Sequence, residues 1–122
     1  MNKSYDIAIV VPMYNPGKKI GKCIRSILKL TFTNYVLIIV NDGSTDCSNA
    51  ICNNYAKKDE RIQIIQQENR GSVEARKTGV LSDIAQNSKY IVFCDSGDTM
   101  PCDALETLYN VDCVCVKYDE NY

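Results

Sequence analysis

The sequence predicts an α/β domain: an open, mostly parallel sheet with helices on both faces, stopping after about five strands. Three observations carry this. Apolar runs such as Ile7–Val11 (IAIVV) and Tyr35–Val40 (YVLIIV) are continuous rather than alternating, the pattern of strands covered on both faces. Between such runs lie segments with apolar residues at helical spacing, giving the order βαβαβαβαβ of parallel strands joined by crossover helices. Several runs also stop abruptly in polar clusters, and in open parallel sheets ligands bind outside the carboxyl ends of the strands.

The elements follow in order. Ile7–Val11 is bounded by Pro12 and reads as a buried strand. Ile20, Cys23, Ile24, Ile27 and Leu28 recur at i, i+3, i+4, i+7 and i+8, which predicts an amphipathic helix over 18–30. Tyr35–Val40 is the second strand. Ser44 or Asp46 then caps a helix reaching Lys57, with Cys47, Ile51 and Tyr55 stacked at i+4 spacing. Ile62–Ile65 is a short third strand. Asn69-Arg70-Gly71-Ser72 is a loop whose Ser72 caps a helix to Ile84, turning Val73, Val80 and Ile84 inward. Tyr90–Cys94 is the fourth strand, Cys102–Leu108 a short helix and Val111–Val116 the fifth strand.

A chain of 122 residues has room for one packed core and not two, so 1–122 is read as a single domain. With 14 basic against 15 acidic residues and no block of like charge, the linear sequence points to neither a nucleic-acid surface nor a polybasic membrane patch. Any phosphate has to be met locally. The seven cysteines are odd in number, and Cys23, Cys94, Cys113 and Cys115 lie in apolar segments. They read as reduced, structural thiols. The absence of histidine excludes a mixed Cys/His zinc site. The apolar start is interrupted at once by Pro12, Asn15 and Lys18, unlike a signal peptide, and no run approaches bilayer-spanning length. The expected location is the cytoplasm, with membrane association left to a longer parent protein.

No GxGxxG follows the first strand and no GxxxxGK[ST] occurs, so neither the usual dinucleotide fingerprint nor a P-loop is present. The strand ends offer Asn15, Asp42, Asp95 and Asp98 instead, with Arg76 on the helix after the third strand. A carboxylate at Asp42 can accept hydrogen bonds from a base or ribose edge. Its competing reading is turn chemistry in Asn41-Asp42-Gly43-Ser44. Asp95 and Asp98 can hold Mg²⁺ or Mn²⁺ bridging a diphosphate, neutralising the charge on a departing group. The competing reading is an Asx-turn around Gly97 or a cap on the following helix. For Arg76, a solvated helix face or a salt bridge competes with a phosphate or base contact.

Taken together, these segments resemble the nucleotide-sugar half of a family 2 glycosyltransferase, with the Rossmann-like GT-A fold. VVPMYN resembles the family's opening I-I-P-x-Y-N, and NDGSTDCS is similar to D-D-G-S-T-D-x-S. ENRGSVEARKTGV follows N-x-G-x-x-x-A-R-N-x-G, FCDSGD stands in the place of F-L-D-S-D-D, and DALETLY continues in register. The resemblance implies that Pro12, Tyr14 and Asn15 help hold a nucleotide sugar, that Asp42 contacts the base, and that Arg76 lies near the nucleotide. It implies that Asp95 meets the ribose or the metal shell; with glycine at position 97, either Asp98 swings in as the second metal carboxylate, or metal affinity falls, or catalysis is lost. The implied activity is inverting transfer from a nucleoside diphosphate sugar, a UDP-sugar above all, to a surface glycan or polysaccharide acceptor.

The chain departs from that pattern at three positions. Asn41 replaces the first Asp of D-D, Lys77 replaces an Asn, and Gly97 falls at the D-x-D carboxylate that normally touches the metal. Glycine offers no ligand. The family's acceptor site and catalytic base lie after the fifth strand, so the base is expected beyond Tyr122 and the acceptor-binding half is expected to be absent. The rival reading is a non-catalytic nucleotide-binding or protein-interaction domain with a degenerate D-x-D motif. An uncovered sheet edge at the fifth strand would favour a homodimer.

Overall fold

The computed structural model describes residues 4–106. Within it, strands β1 (Ile7–Met13), β2 (Tyr35–Asp42), β3 (Ile62–Gln67) and β4 (Tyr90–Phe93) alternate with helices α1 (Lys19–Leu28), α2 (Ser48–Ala56), α3 (Ser72–Leu81) and the short α4 (Asp83–Gln86). The strands form one parallel sheet in the order β3-β2-β1-β4. The chain thus moves outward from β1 through β2 to β3, then crosses back to place β4 on the other side of β1. The predicted fifth strand lies outside the described residues, as does the end of the predicted helix over 102–108.

Side-chain alternation along the buried strands divides the core in two. Ile7, Ile9, Val11 and Met13 of β1, with Leu37 and Ile39 of β2, face Ile20, Cys23, Ile24 and Ile27 of α1 and Cys52 of α2. Ala8, Val10, Val36, Ile38 and Val40 face Ala75, Val80 and Ala85 on α3 and α4. Helices therefore cover both faces, as continuous apolar strands require. No helix among the described residues is long and apolar enough to cross a membrane.

The structure corrects several boundaries. β1 runs through Pro12 to Met13 instead of ending at Val11. The Val10 carbonyl accepts from Cys94 N, so alternation puts the Pro12 nitrogen on the β4 side, past the last β1–β4 pair, Val10↔Phe93. No ladder bond is lost there, and a crevice opens between the two strands. β2 extends to Asp42, making that residue a strand end rather than part of a turn. In α2 the fully buried positions are Ser48 and Cys52, while Cys47 is exposed. The N-cap is Cys47, whose side chain makes no capping bond, rather than Ser44 or Asp46; Asp46, one residue earlier, has its carboxylate accept from the Ser48 N–H at 3.0 Å. α3 begins with Ser72 as its first residue and Gly71 as N-cap, and it breaks at Ser82, whose backbone is extended. Its inward residues are Ala75, Gly79 and Val80, whereas Val73 is 70% exposed.

Candidate functional site: a cleft at the ends of β1, β2 and β4

The carboxyl ends of β1, β2 and β4 and the first turns of α3 enclose a cleft of about 210 Å³. β1 contributes Pro12 and Met13, with Tyr14 immediately after it. β2 contributes Asp42, α3 contributes Ser72, Ala75 and Arg76, and the segment after β4 contributes Asp95 and Ser96. Five of the sequence-derived residues, Pro12, Tyr14, Asp42, Arg76 and Asp95, thus meet in one place. Met13, Ser72, Ala75 and Ser96 line the cleft without having been expected there from sequence, where Ser72 reads only as a helix cap; such side chains carry no binding signal until a neighbouring backbone shows what they make room for.

Asp42 is 3% exposed and fully engaged. Oδ1 accepts from Gln67 Nε2 at 2.8 Å and from Arg70 N at 2.8 Å, and Oδ2 accepts from Gly71 N at 2.9 Å. Burial opposes ionisation, but the Gln67 amide, the two backbone N–H groups and the Arg70 charge outweigh it and hold the carboxyl below its ordinary range. The loop held this way leads straight into α3. Gly71 adopts φ +95°, a left-handed conformation natural to glycine, and this aims its N–H at Asp42. Asp42 therefore positions the loop and helix that supply Ser72, Ala75 and Arg76, and it lines the cleft as well.

Gly79 sets how closely α3 approaches the sheet. A Cβ there would lie 2.5 Å from Val10 Cγ1 and 3.2 Å from Val40 Cγ2, so only glycine lets the helix lie flat over β1 and β2. One turn earlier, this places Arg76 Nη2 3.4 Å from Asp95 Oδ1, an ion pair across the cleft mouth with the Arg76 and Asp95 side chains 39% and 66% exposed. Tyr14, 54% exposed, offers an aromatic face at the same mouth.

Asn15 is not among the lining residues. Its backbone is left-handed, with φ +49°, and its side-chain oxygen accepts from Thr45 N at 2.7 Å and Asp46 N at 3.2 Å. Ser44 Oγ accepts from Asn15 N at 3.0 Å. Asn15 therefore ties the β1–α1 connection to the β2–α2 connection, supporting the cleft from behind. Asn41 uses an amide's two functions in a comparable way. Its nitrogen donates to Asn49 Oδ1 at 3.1 Å and Gln66 Oε1 at 2.8 Å, and its oxygen accepts from Ser44 N at 3.0 Å. An aspartate at 41 could make neither donation, and Gln66 and Asn49 would have to turn their amide nitrogens toward it.

The metal expectation joins Asp95 and Asp98, and the structure treats them differently. Asp95 lines the cleft, whereas Asp98 does not; the Asp98 N–H donates to the Asp95 carbonyl at 3.0 Å in a tight turn. Gly97 between them supplies no donor, and Asp95 already shares a carboxylate oxygen with Arg76. Among the described residues no group of three or more Cys, Asp or Glu side chains is placed to hold a metal ion. The cleft itself thus presents one exposed carboxylate, Asp95, which already faces Arg76; a divalent cation here would have to draw its other oxygen ligands from a bound diphosphate and from water.

The family model for glycosyl transferase family 2 matches residues 8–112. The chain belongs to this family. It is 44% identical over 103 residues to the glycosyltransferase GlyA of Streptococcus pneumoniae, covering 84% of this chain and 14% of GlyA. It superposes on S. aureus TarS 1-349 in complex with UDP-GlcNAc with a TM-score of 0.72 at 26% identity, covering 88% of this chain and 30% of that one. The mannosyltransferase PcManGT of Pyrobaculum calidifontis, in complex with GDP-Man and Mn²⁺, shares the fold at TM-score 0.71 and 19% identity, over 91% of this chain and 32% of that one. The chain therefore spans between about a seventh and a third of the length of these proteins.

Proposed function

We propose that this chain is the donor-binding part of an inverting glycosyltransferase and holds a nucleoside diphosphate sugar, a UDP-sugar, in the cleft between β1 and β4. The observation that carries this reading is the convergence of Tyr14, Asp42, Arg76 and Asp95 on one cleft at the strand ends. The TarS complexes with UDP and with UDP-GlcNAc support the choice of nucleotide. In this reading the base lies against Tyr14 and the apolar floor of Met13 and Ala75, beside the loop that Asp42 holds. Asp95 accepts from the ribose hydroxyls, and Arg76 faces the nucleotide from α3. The acceptor, a surface glycan or polysaccharide, and the carboxylate that deprotonates its hydroxyl are assigned to other parts of a longer protein.

Calorimetric titration with UDP tests the reading. Saturable binding that falls at least about tenfold in Arg76→Ala is the expected outcome, the loss of a charge-assisted contact. A folded chain that shows no saturable UDP binding at millimolar concentration would overturn it and would favour the non-catalytic domain, the alternative that Gly97 supports.

A further inference from the structure

We propose that the positive charge facing the donor diphosphate in this chain is a protein cation, Lys19, standing in the direction from which the family pattern would supply a metal-binding carboxylate at position 97. This rests on the nucleotide reading above and goes beyond it. The charged groups lining the cleft among the described residues are Asp42, Asp95 and Arg76, two carboxylates and one guanidinium. Asp42 is held ionised by three donors, and Arg76 is already paired with Asp95. Among the described residues this lining offers a diphosphate no surplus positive charge, so a nearby protein cation would favour its entry.

Gly97 shows where that cation comes from. Its backbone is not left-handed, because the glycines at positive φ are Gly17, Gly43 and Gly71; conformation does not demand glycine here. A Cβ built on Gly97 would meet one heavy atom within 4 Å, the Cδ of Lys19 at 3.8 Å. The side-chain direction at 97 therefore leads to the lysine stem, with the ammonium two bonds further on. Lys19 is the first residue of α1. It is exposed and forms no ion pair among the described residues, so none of the described carboxylates competes for the ammonium. Lys19 stands beside the lining residues rather than among them, and its flexible stem has to swing toward a bound diphosphate. Gly97 follows Ser96, a cleft residue, in the turn closed by Asp98 N and the Asp95 carbonyl. An aspartate at 97 would pair with Lys19 and cancel it; glycine leaves the charge available. The ligand class is a nucleoside diphosphate whose phosphate oxygens accept from a lysine ammonium.

The test titrates the chain with UDP and with uridine, each in EDTA and in Mn²⁺, for the parent, Lys19→Gln and Gly97→Asp, with circular dichroism to verify folding. For the parent, UDP affinity in EDTA should lie within about threefold of that in Mn²⁺. Lys19→Gln should weaken UDP at least about tenfold, the scale of a lost charge-assisted bond, and leave uridine unchanged. Gly97→Asp should weaken UDP in EDTA and recover it in Mn²⁺. Loss of parent UDP binding in EDTA, or undiminished UDP binding in Lys19→Gln, would overturn the inference while the nucleotide reading stood. Failure of the folded chain to bind either UDP or uridine would overturn both.

Discussion

Replacing Asp42 by an asparagine removes one acceptor from a carboxylate that serves three donors. Gln67 Nε2 and Arg70 N reach Oδ1, both at 2.8 Å, and Gly71 N reaches Oδ2 at 2.9 Å. The Gln67 amide can rotate to suit the introduced amino group, but the two backbone N–H groups cannot. Whichever way the substituted amide lies, one backbone donor faces another donor at a site 3% exposed in the parent. A buried donor without an acceptor costs roughly 1–3 kcal/mol, so urea titration should show a stability loss of that size. Charge gives a second handle. Because folding lowers the Asp42 pKa, its contribution is fully present above the unfolded carboxyl value of about 3.9 and is lost as pH falls through the folded value. The gap between parent and Asp42→Asn should therefore be flat above about pH 5 and close under more acidic conditions. Equal stability at neutral pH, or a gap undiminished at acidic pH, would refute the assigned role. UDP affinity should fall in parallel, since the loop that Asp42 holds leads to Ser72 and Arg76.

Gly79→Ala places a methyl group 2.5 Å from Val10 Cγ1 and should cost about 1–3 kcal/mol through overpacking, more than the gain in helix propensity returns; a thermal melt identical to the parent's would refute the close approach of α3. Thiol chemistry should divide by burial. Exposed Cys47 and Cys102 should react with a disulfide reagent at pH 8 in the folded chain, while Cys23 and Cys52 stay protected until denaturant is added. Burial pushes the Cys52 thiol up to about 12, and the hydrogen bond to Cys94, with burial, drives Cys23 higher still. Modification of Cys52 in the folded chain, mapped by mass spectrometry, would contradict the packing described.

The strands were the most legible part of the sequence, and the reason is physical. A β-branched run covered on both faces, such as Tyr35–Val40, has no alternation to misread and little competing helical preference. The helices α2 and α3 were legible only as elements, because helices lying close against a sheet present small side chains. Ser48, Cys52, Ala75 and Gly79 are buried there, so a search by apolar spacing finds Ile51, Tyr55, Val80 and Ile84, which do pack on the core, but misses the small residues and adds Cys47 and Val73, which are exposed. Several site residues were readable because motifs place them, but their partners were not. That Asp42 answers to Gln67, Arg70 and Gly71 depends on β2 and β3 pairing in one register, Asp42 opposite Gln67, a long-range fact that no local pattern contains.

The two ends of the cleft are built by different means, with consequences for mutation. At the end formed by β1, β2 and α3, the side chains of Asp42, Asn41 and Asn15 bond to the backbone of neighbouring loops, so the wall of the cleft is also part of what holds the fold together. At the β4 end, Asp95, Gly97 and Lys19 are exposed, and an exposed ion pair such as Arg76–Asp95 contributes little to stability. Substitutions at the first end should therefore lower stability and ligand affinity together, whereas substitutions at the second should lower affinity alone. That separation makes Lys19 and Gly97 the informative positions for diphosphate chemistry: a change in binding there cannot be credited to a loosened fold.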